Sequence, residues 1–349
     1  MLRLIRPQDA RLGMYIVGFE GSWIDHPFWR THFLLTKPSD LARLQASEVS
    51  AVMIDDSKSA TAIPPETGKP VPPSQSADMA ARAASTEVDQ RRRAERTVHT
   101  CKQAMSRLFG EARMGRTPDP GLALSVTREI LASLTVSSTA LIGLTRIKST
   151  DAYTYLHSIA VSALMLRFGR HLGLEEEELH ELGMAGLLHD IGKILIPSSV
   201  LLKPSGLTER EMDLIRTHPV EGHAILSGYP NIPDTVLDIC RHHHERLDGT
   251  GYPDGLSGDA ISRNVRISTI CDIYDAVTSV RPYRKAWRPD EALTRMFGWD
   301  KQVDLPLLAE FARCLGYEET IPSELREALA GGELANAVNG YSDPRQPEA

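Results

Sequence analysis

The sequence predicts an α+β protein in which a small mixed α/β N-terminal domain precedes an all-α C-terminal domain. Short apolar segments of strand length lie within residues 1–57, a proline-rich stretch follows them, and apolar residues recur at helical spacing from about residue 122 onward. A chain of 349 residues suits about two domains. Because 42% of the residues are hydrophobic, the chain can build a sizeable core.

The first 57 residues predict a small α/β unit. The segments "GMYIVGF" and "SAVMID" have the composition of short strands, and "SDLARLQ" that of a helix. Trp23, Phe28 and Trp29 are expected to fill the small core of this unit. We interpret residues 1–57 as a separate N-terminal domain and a candidate regulatory module.

The composition changes sharply after this unit. Residues 58–78 hold five prolines and almost no large apolar side chain, which is typical of a linker. The charged stretch that follows has apolar residues at helical spacing and predicts a connector helix. The predicted organisation is therefore an N-terminal domain over 1–57, a linker over 58–78, a connector helix over 79–121, a helical domain over 122–335 and a flexible tail over 336–349.

Charge and composition exclude several classes of protein. A net charge of −7 gives no basic surface for polymeric nucleic acid. The four cysteines show no paired spacing, so we expect reduced thiols in the core. The N-terminus has no long apolar region and no segment approaches the length of a membrane span. We therefore expect a cytoplasmic protein with no membrane contact.

Three consecutive histidines stand in the segment "RHHHERLDGTGYPDG". The helix that carries them has an apolar face that includes Cys240. His243 and His244 lie three and four residues after Cys240, so both continue the buried face. His242 lies four residues after Asp238 and is expected to face that carboxylate and solvent. The sequence thus predicts two adjacent inward imidazoles.

Other chemically active side chains fall on inward faces of predicted helices. His157 shares a face with apolar residues in "YLHSIAVSALML", and His189 and Asp190 follow an apolar stripe in "GLLHDIGK". His218 stands before a proline at a helix break, and Asp272 lies in the middle of an apolar helix. A lone buried histidine is usually just hydrogen-bonded, but an unpaired buried carboxylate is strongly destabilising. A bound metal would remove that cost.

These five histidines and two aspartates make seven candidate ligands, which is more than one octahedral ion accepts. They therefore predict two divalent ions with one bridging carboxylate. Imidazole and carboxylate ligands without thiolate suit iron or manganese, and zinc stays an alternative. Two metals about 3.5–4 Å apart are a standard device for hydrolysing phosphodiesters. Lys193, three residues after Asp190 and expected on the same helix, would place its ammonium near the phosphate; its alternative role is that of a cation at a helix C-terminus.

The motifs "HDIGK", "HHERLDGTGYP" and "DIYDAVTSVRPYR", in this order, resemble the HD-GYP family. These proteins are bacterial phosphodiesterases of the HD superfamily that hydrolyse cyclic di-GMP. The resemblance covers about residues 125–330 and implies an HD-type helical domain. The N-terminal unit, with "LGMYI" and "WIDHPFW", is similar to a domain of unknown function that often precedes HD-GYP domains.

The resemblance implies a role for each matching residue. The implied metal ligands are His157, His189, Asp190, His218, His243, His244 and Asp272. The implied catalytic residues are Asp190, as the bridge, and Lys193. The implied substrate contacts are Tyr252 of the Gly-Tyr-Pro turn, Arg281 and Arg284, since arginine forks suit phosphate oxygens.

Two further expectations concern residues beside the ligands. Glu245 and Asp248 are expected to support the ligands, or Arg246, as hydrogen-bond acceptors. Some members of the family carry a glutamate one helical turn before the first histidine and bind a third metal. Tyr153 occupies that position here, and a phenol is a poor ligand, so we expect two metals.

The predicted function is hydrolysis of cyclic di-GMP to pGpG, and further to GMP, by a two-metal-activated hydroxide. One alternative is a catalytically weak or inactive receptor that binds the dinucleotide without cutting it. A second alternative is a hydrolase of another cyclic dinucleotide. The candidate protein partners are a second copy of the chain, paired through the connector helix, and a GGDEF-type signalling protein.

Overall fold

The computed structural model describes residues 2–20, 33–45, 51–56, 58–59, 75–116, 119–145, 153–203, 205–279 and 286–330. The chain divides into two compact units, Met1–Ala77 and Asp78–Ala349. The first unit contains an antiparallel sheet, and the elements described in the second are helices, which confirms the predicted α+β class. The predicted tail over 336–349 lies outside the described residues, as do Trp23, Phe28 and Trp29.

The first unit is a four-stranded sheet with one helix. Its elements are β1 (Leu2–Ile5), β2 (Tyr15–Glu20), β3 (Phe33–Leu34), α1 (Pro38–Gln45) and β4 (Ala51–Asp55). The strand order is β1-β4-β2-β3, with antiparallel pairing throughout. Val52 and Ile54 alternate with less buried neighbours along β4 and are fully buried together with Ile16. One face of the sheet therefore covers the small core of this unit.

The second unit is built from helices joined by short connections. In chain order they are α2 (Gln75–Arg113), α3 (Pro120–Thr145), α4 (Tyr153–His171), α5 (Glu176–Leu188), α6 (Ser198–Leu201), α7 (Glu209–Arg216), α8 (His218–Ser227), α9 (Asp234–His242), α10 (Arg263–Thr278), α11 (Pro289–Phe297), α12 (Leu305–Leu315) and α13 (Ser323–Ala330). A 3-10 turn over Ile191–Leu195 follows α5. None of the described helices is long and apolar enough to cross a membrane.

Helices α4, α5 and α10 form the centre of the second unit. Phe168 of α4 and Leu182 of α5 are fully buried, and α10 is buried along most of its length. At Gly186 an added Cβ would lie 2.6 Å from the Cα of Ser162, so glycine is what allows α5 to approach α4 this closely. This tight contact fixes the end of α5, where His189 and Asp190 follow.

Helix α2 packs into the same core. Its buried stripe includes Cys101, Met105 and Leu108, and Thr97 Oγ1 donates to Glu129 Oε1 of α3 at 3.0 Å. The helical segment predicted over 79–121 thus begins at Gln75, ends at Arg113 and is followed by α3. All four cysteines are free thiols, as expected, and burial raises the pKa of Cys101 to about 12.

A segment over residues 197–217, which we call the outer segment, contributes no buried residue among those described. It contains α6 and α7, and its exposed side chains include Leu202 and Met212. Local contacts hold it: Thr208 and Glu211 form a capping box at the start of α7, and Lys203 Nζ lies 2.6 Å from Glu211 Oε2. The outer segment therefore ends immediately before His218, one of the predicted ligands.

Candidate metal centre

Five imidazoles and two carboxylates meet inside the second unit. They are His157 on α4, His189 and Asp190 after α5, His218 at the start of α8, His243 and His244 after α9, and Asp272 on α10. Six of the seven are at most 9% exposed and His244 is half-buried. Ring centroids of neighbouring imidazoles lie between 4.2 and 5.3 Å apart. The structure thus gathers all seven residues that the sequence analysis named as ligands.

Backbone carbonyls fix the tautomers of three of these rings. The Nδ1–H groups of His189, His218 and His243 donate to carbonyl oxygens, at 2.9 Å to Gly186, 2.7 Å to Ile215 and 3.1 Å to Ile239. Because a carbonyl can only accept, each Nδ1 carries the proton and a neutral ring keeps a lone pair on Nε2. Burial and the neighbouring imidazoles hold the pKa of His243 well below its usual range. That ring is therefore neutral.

The Nε2 lone pairs of these rings face no hydrogen-bond donor. His218 Nε2 and His243 Nε2 face each other at 3.2 Å, and neither carries a proton in the tautomers fixed above. His189 Nε2 and Asp190 Oδ1 are buried with no hydrogen-bond partner at all. Unpaired buried acceptors are rare and costly. A cation among them would satisfy every one, so these residues fit a metal ion.

The two oxygens of Asp190 point to different histidines. Oδ2 lies 3.4 Å from His189 Nε2 and 3.7 Å from His157 Nε2, whereas Oδ1 lies 3.3 Å from His218 Nε2 and 3.8 Å from His243 Nε2. Among the described residues the ligand atoms lie within 4.8 Å of one another in three groups: His157 with His189 and Asp272, His218 with His243 and His244, and, connecting these two sets, His189 with Asp190 and His243. Asp190 stands between these sets and is placed to serve both.

His157 is held in the site by a residue that the sequence analysis missed. Its Nδ1 lies 2.6 Å from Asp275 Oδ2, and its Nε2 lies 3.0 Å from Asp272 Oδ1. Asp275 is itself buried and accepts from Ser279 Oγ at 3.0 Å. The available signal was its position three residues after Asp272, which puts both carboxylates on one side of α10. A carboxylate behind a ligand histidine orients the ring and makes it a stronger ligand.

Lys193 lies against Asp190, with its Nζ 2.6 Å from Oδ2. The expectation that both residues share one helix is wrong, because α5 ends at Leu188 and Lys193 belongs to the 3-10 turn. Burial alone would raise the pKa of Asp190, but the attraction of Lys193 and of the surrounding histidines holds that pKa well below its usual range. Asp190 is therefore ionised.

The 3-10 turn touches the start of α8. A Cβ at Gly192 would lie 2.0 Å from the carbonyl oxygen of His218 and 2.6 Å from the amide nitrogen of Gly222. No residue with a side chain fits between these backbones. Gly192 therefore brings Asp190 and Lys193 within reach of His218.

Glu245 and Asp248 bind the Gly-Tyr-Pro loop. Glu245 accepts from the backbone N–H groups of Asp254, Gly255 and Leu256, at 2.7, 3.0 and 3.0 Å. Asp248 Oδ1 accepts from the N–H and hydroxyl of Thr250. The expectation that Glu245 supports the ligands or Arg246 is wrong, since its donors belong to its own loop. The hydrogen bonds from Thr250, and to a smaller extent the charge of Arg246, lower the pKa of Asp248.

Tyr252 has one aromatic neighbour, His244, and one cationic neighbour, Arg216. Its ring centroid is 4.7 Å from that of His244, with 31° between the planes, and the guanidinium carbon of Arg216 lies 5.9 Å from the same ring. Arg216 ends α7 and belongs to no motif that the sequence analysis used. Burial raises the pKa of the Tyr252 phenol, which is therefore neutral. The ring stands next to the metal-ligand cluster.

Other predicted site residues cannot be placed. Arg281 and Arg284 lie outside the described residues, as does the side chain of Tyr153. Their predicted roles stay predictions. His242 lies where the helical register put it, with its Nδ1 2.8 Å from Asp238 Oδ1.

Two relatives of this chain are phosphodiesterases. A cyclic di-GMP phosphodiesterase of Pseudomonas aeruginosa is 42% identical over 327 residues, which is 90% of this chain and 77% of the relative. A 3'3'-cGAMP-specific phosphodiesterase of Vibrio cholerae is 35% identical over 161 residues, which is 46% of this chain and 37% of that relative. Part of the second relative therefore has no counterpart here.

A solved structure shares the fold. An HDG"Y"P protein from Bdellovibrio bacteriovorus superimposes with a TM-score of 0.53 at 15% identity, covering 90% of this chain and 100% of the other. Residues 2–123 match a family described as a domain of unknown function, DUF3391. Residues 129–304, half of the chain, match the HD domain, and they include all seven clustered residues. The chain belongs to the HD-domain family.

Proposed function

We propose that this protein is a metal-dependent phosphodiesterase that hydrolyses cyclic di-GMP. The observation that carries the proposal is the pair of ligand sets joined by Asp190, in which buried lone pairs face one another without a donor. The cyclic di-GMP phosphodiesterase that is 42% identical to this chain supports the choice of substrate.

We assign His157, His189 and Asp272 to one divalent ion and His218, His243 and His244 to a second, with Asp190 shared. Imidazole and carboxylate donors favour iron or manganese. Cys240, although near the centre, is unsuited as a ligand, because burial raises the pKa of its thiol and its Sγ points to backbone oxygens. Bound ions of this kind would supply Lewis-acid polarisation of a phosphodiester and activation of a water molecule.

The protein's own residues have separate tasks in this proposal. Asp275 keeps His157 in one orientation, and the backbone carbonyls do the same for three other rings. Lys193 is 24% exposed at its side chain, so its ammonium can turn toward a phosphate as well as to Asp190. There it would stabilise the charge that grows during hydrolysis.

We place the substrate side at the Gly-Tyr-Pro loop. Tyr252 offers a ring against which a guanine can stack, and Arg216 offers a guanidinium beside it. Arg281 and Arg284 are proposed to hold substrate phosphate and guanine. The expected products are pGpG and, with further hydrolysis, GMP. A second copy of the chain or a GGDEF-type protein remains a predicted partner.

The test combines metal analysis with turnover. Protein purified without oxygen should contain about two ions of iron or manganese per chain. It should convert cyclic di-GMP to pGpG, measured by chromatography. His243→Ala removes an Nε2 from the centre and should lower both metal content and turnover, whereas Lys102→Ala, at an exposed position on α2, should change neither.

Two results would contradict the proposal in different ways. A metal-loaded protein that binds cyclic di-GMP but releases no linear product would be a receptor. A second candidate substrate is 3'3'-cGAMP, because a relative that is 35% identical is specific for it. If the kcat/KM for this hybrid exceeds that for cyclic di-GMP, the substrate assignment is wrong and the reaction class stands.

A further inference from the structure

The Gly-Tyr-Pro loop is held at its far end by a compact ionic contact. Arg241 forms two hydrogen bonds to Asp254, from Nε to Oδ2 at 2.7 Å and from Nη2 to Oδ1 at 2.8 Å. His242 Nε2 lies 3.0 Å from the same Asp254 Oδ2. We call these three residues the Asp254 anchor. A planar guanidinium fork on a carboxylate is a directional contact that fixes geometry as well as adding stability.

The anchor is tied to the body of the protein. His242 Nδ1 lies 2.8 Å from Asp238 Oδ1, and Asp238 Oδ2 accepts from Ser262 Oγ at 2.7 Å. The side chains of Arg241, His242 and Asp254 are 30%, 17% and 33% exposed, so the contact is partly shielded from water. His242 therefore bridges two carboxylates, one on α9 and one on the loop.

The Asp254 anchor connects the Gly-Tyr-Pro loop to the end of α9. Arg241 and His242 come immediately before His243, and Asp254 comes two residues after Tyr252. The backbone N–H of Tyr252 also donates to the carbonyl of His244 at 3.3 Å. The loop is thus attached, at the tyrosine and two residues after it, to the end of α9 that carries two proposed ligands. A displacement of Asp254 would move Tyr252 relative to the metal centre.

We propose that Arg241 and His242 are positioning residues, which hold the Gly-Tyr-Pro loop through Asp254 and thereby set the affinity for a cyclic dinucleotide. The inference rests on the proposed function for the identity of the ligand. Neither residue is assigned to the metals, because both nitrogens of His242 are bonded to carboxylates outside the ligand sets. The first histidine of the triplet thus serves the substrate side of the site.

The test uses the metal-loaded full chain with His242→Ala, Asp254→Ala and Arg241→Lys. The first two variants should raise KM for cyclic di-GMP by about tenfold, the size expected for a lost charged hydrogen bond. Their kcat should change by less than twofold or so, and Arg241→Lys, which keeps the charge, should show a smaller rise in KM. Metal content should match that of the unmodified protein.

Two further measurements separate positioning from general damage. Hydrolysis of bis(p-nitrophenyl) phosphate, a diester without bases, should be unchanged in all three variants. Hydrogen exchange of the amides in 249–256 should become faster. Arg107→Ala, which breaks a surface ion pair with Glu111 on α2, is the matched control and should leave exchange and KM unchanged.

The outcomes are distinct. Unchanged exchange in 249–256, or faster exchange with an unchanged KM, would overturn the proposal, and so would a parallel loss of bis(p-nitrophenyl) phosphate turnover. If the unmodified protein cleaved no cyclic dinucleotide, the proposed function would fail. Dissociation constants for cyclic di-GMP, measured by calorimetry in the same variants, would then decide the role of the anchor: a tenfold weakening supports it and equal affinity overturns it.

Discussion

Asp190 is the side chain on which the centre depends most. Each of its oxygens faces a different pair of histidines, and Lys193 lies 2.6 Å from one of those oxygens. A carboxylate in this position must stay ionised, and the low pKa set by Lys193 and the histidines ensures that it does. Lys193 therefore acts on the site even before any substrate enters.

Lys193→Ala should lower kcat for cyclic di-GMP by about a hundredfold and change KM much less. The reason is that the ammonium is proposed to stabilise charge that develops only in the transition state. Steady-state kinetics with elemental analysis would check this, with Lys102→Ala as the control at an exposed position. Equal losses in the two variants, or a loss of metal from Lys193→Ala, would show that the lysine has another role.

Helical register was enough to predict that His157, His243 and His244 face inward, because spacing decides which face of a helix a residue occupies. His218 was predicted from the helix break before a proline. Register also placed His242 against Asp238 correctly. Register could not reveal Asp254 as the second partner of His242, or Arg216 beside Tyr252, because those contacts depend on where a loop and a separate helix return in space. Glu245 was wrongly assigned for the same reason.

At the scale of elements, the centre depends on close approach between backbones. The 3-10 turn after α5 and the start of α8 leave no room for a Cβ at Gly192. The turn supplies Lys193 and follows Asp190, and α8 begins with His218, so this contact sets the distance between the two ligand sets.

Gly192→Ala should destabilise the fold by about 3 kcal/mol, since the new methyl group would lie 2.0 Å from a backbone oxygen and the chain must shift to admit it. Gly110→Ala is the matched control, because nothing lies within 4 Å of its added Cβ on α2. That change should raise stability by up to about 1 kcal/mol, as alanine favours a helix interior. Free energies of unfolding in urea would check both, and similar values for the two variants would refute the steric argument.

The sequence predicted β2 and β4 because both are apolar runs of strand length bounded by polar residues. It did not predict β1 or β3. β1 has four residues and β3 has two, so neither is long enough to show an alternating pattern, and their pairing depends on the sheet that they join. Whether such short segments form strands is decided by the strands with which they pair.

At the scale of the whole molecule, burying five imidazoles in one core has a cost that depends on pH. Burial lowers the pKa of His244 to about 3 and holds that of His243 well below its usual range. Both rings must therefore stay neutral in the folded protein, whereas an unfolded histidine takes up a proton below about pH 6.5.

The metal-free protein should lose stability as the pH falls below about 6.5. In that range the unfolded chain binds more protons than the folded one, so each neutral buried ring favours unfolding, and His243 alone contributes about 1.4 kcal/mol per pH unit. In the metal-free protein His189 and His242 have raised pKa values, so they stabilise the fold as the pH falls toward about 6.5 and add no slope at pH values well below it, where both states are protonated. Melting temperatures of chelator-treated protein at pH 6.0 and 5.0 would measure the effect. Equal values would contradict it.

The outer segment over 197–217 has a consequence for how this protein can diverge. It starts just after the turn that bears Lys193 and stops just before His218, yet no described residue in it is buried. Exchanges of exposed side chains there do not disturb the core, and His218 stays in place as long as the Ile215 carbonyl still accepts from its ring. Its last helix brings Arg216 to Tyr252. Mutation can therefore remodel this rim of the site, and with it the choice among related substrates, without first compromising the fold.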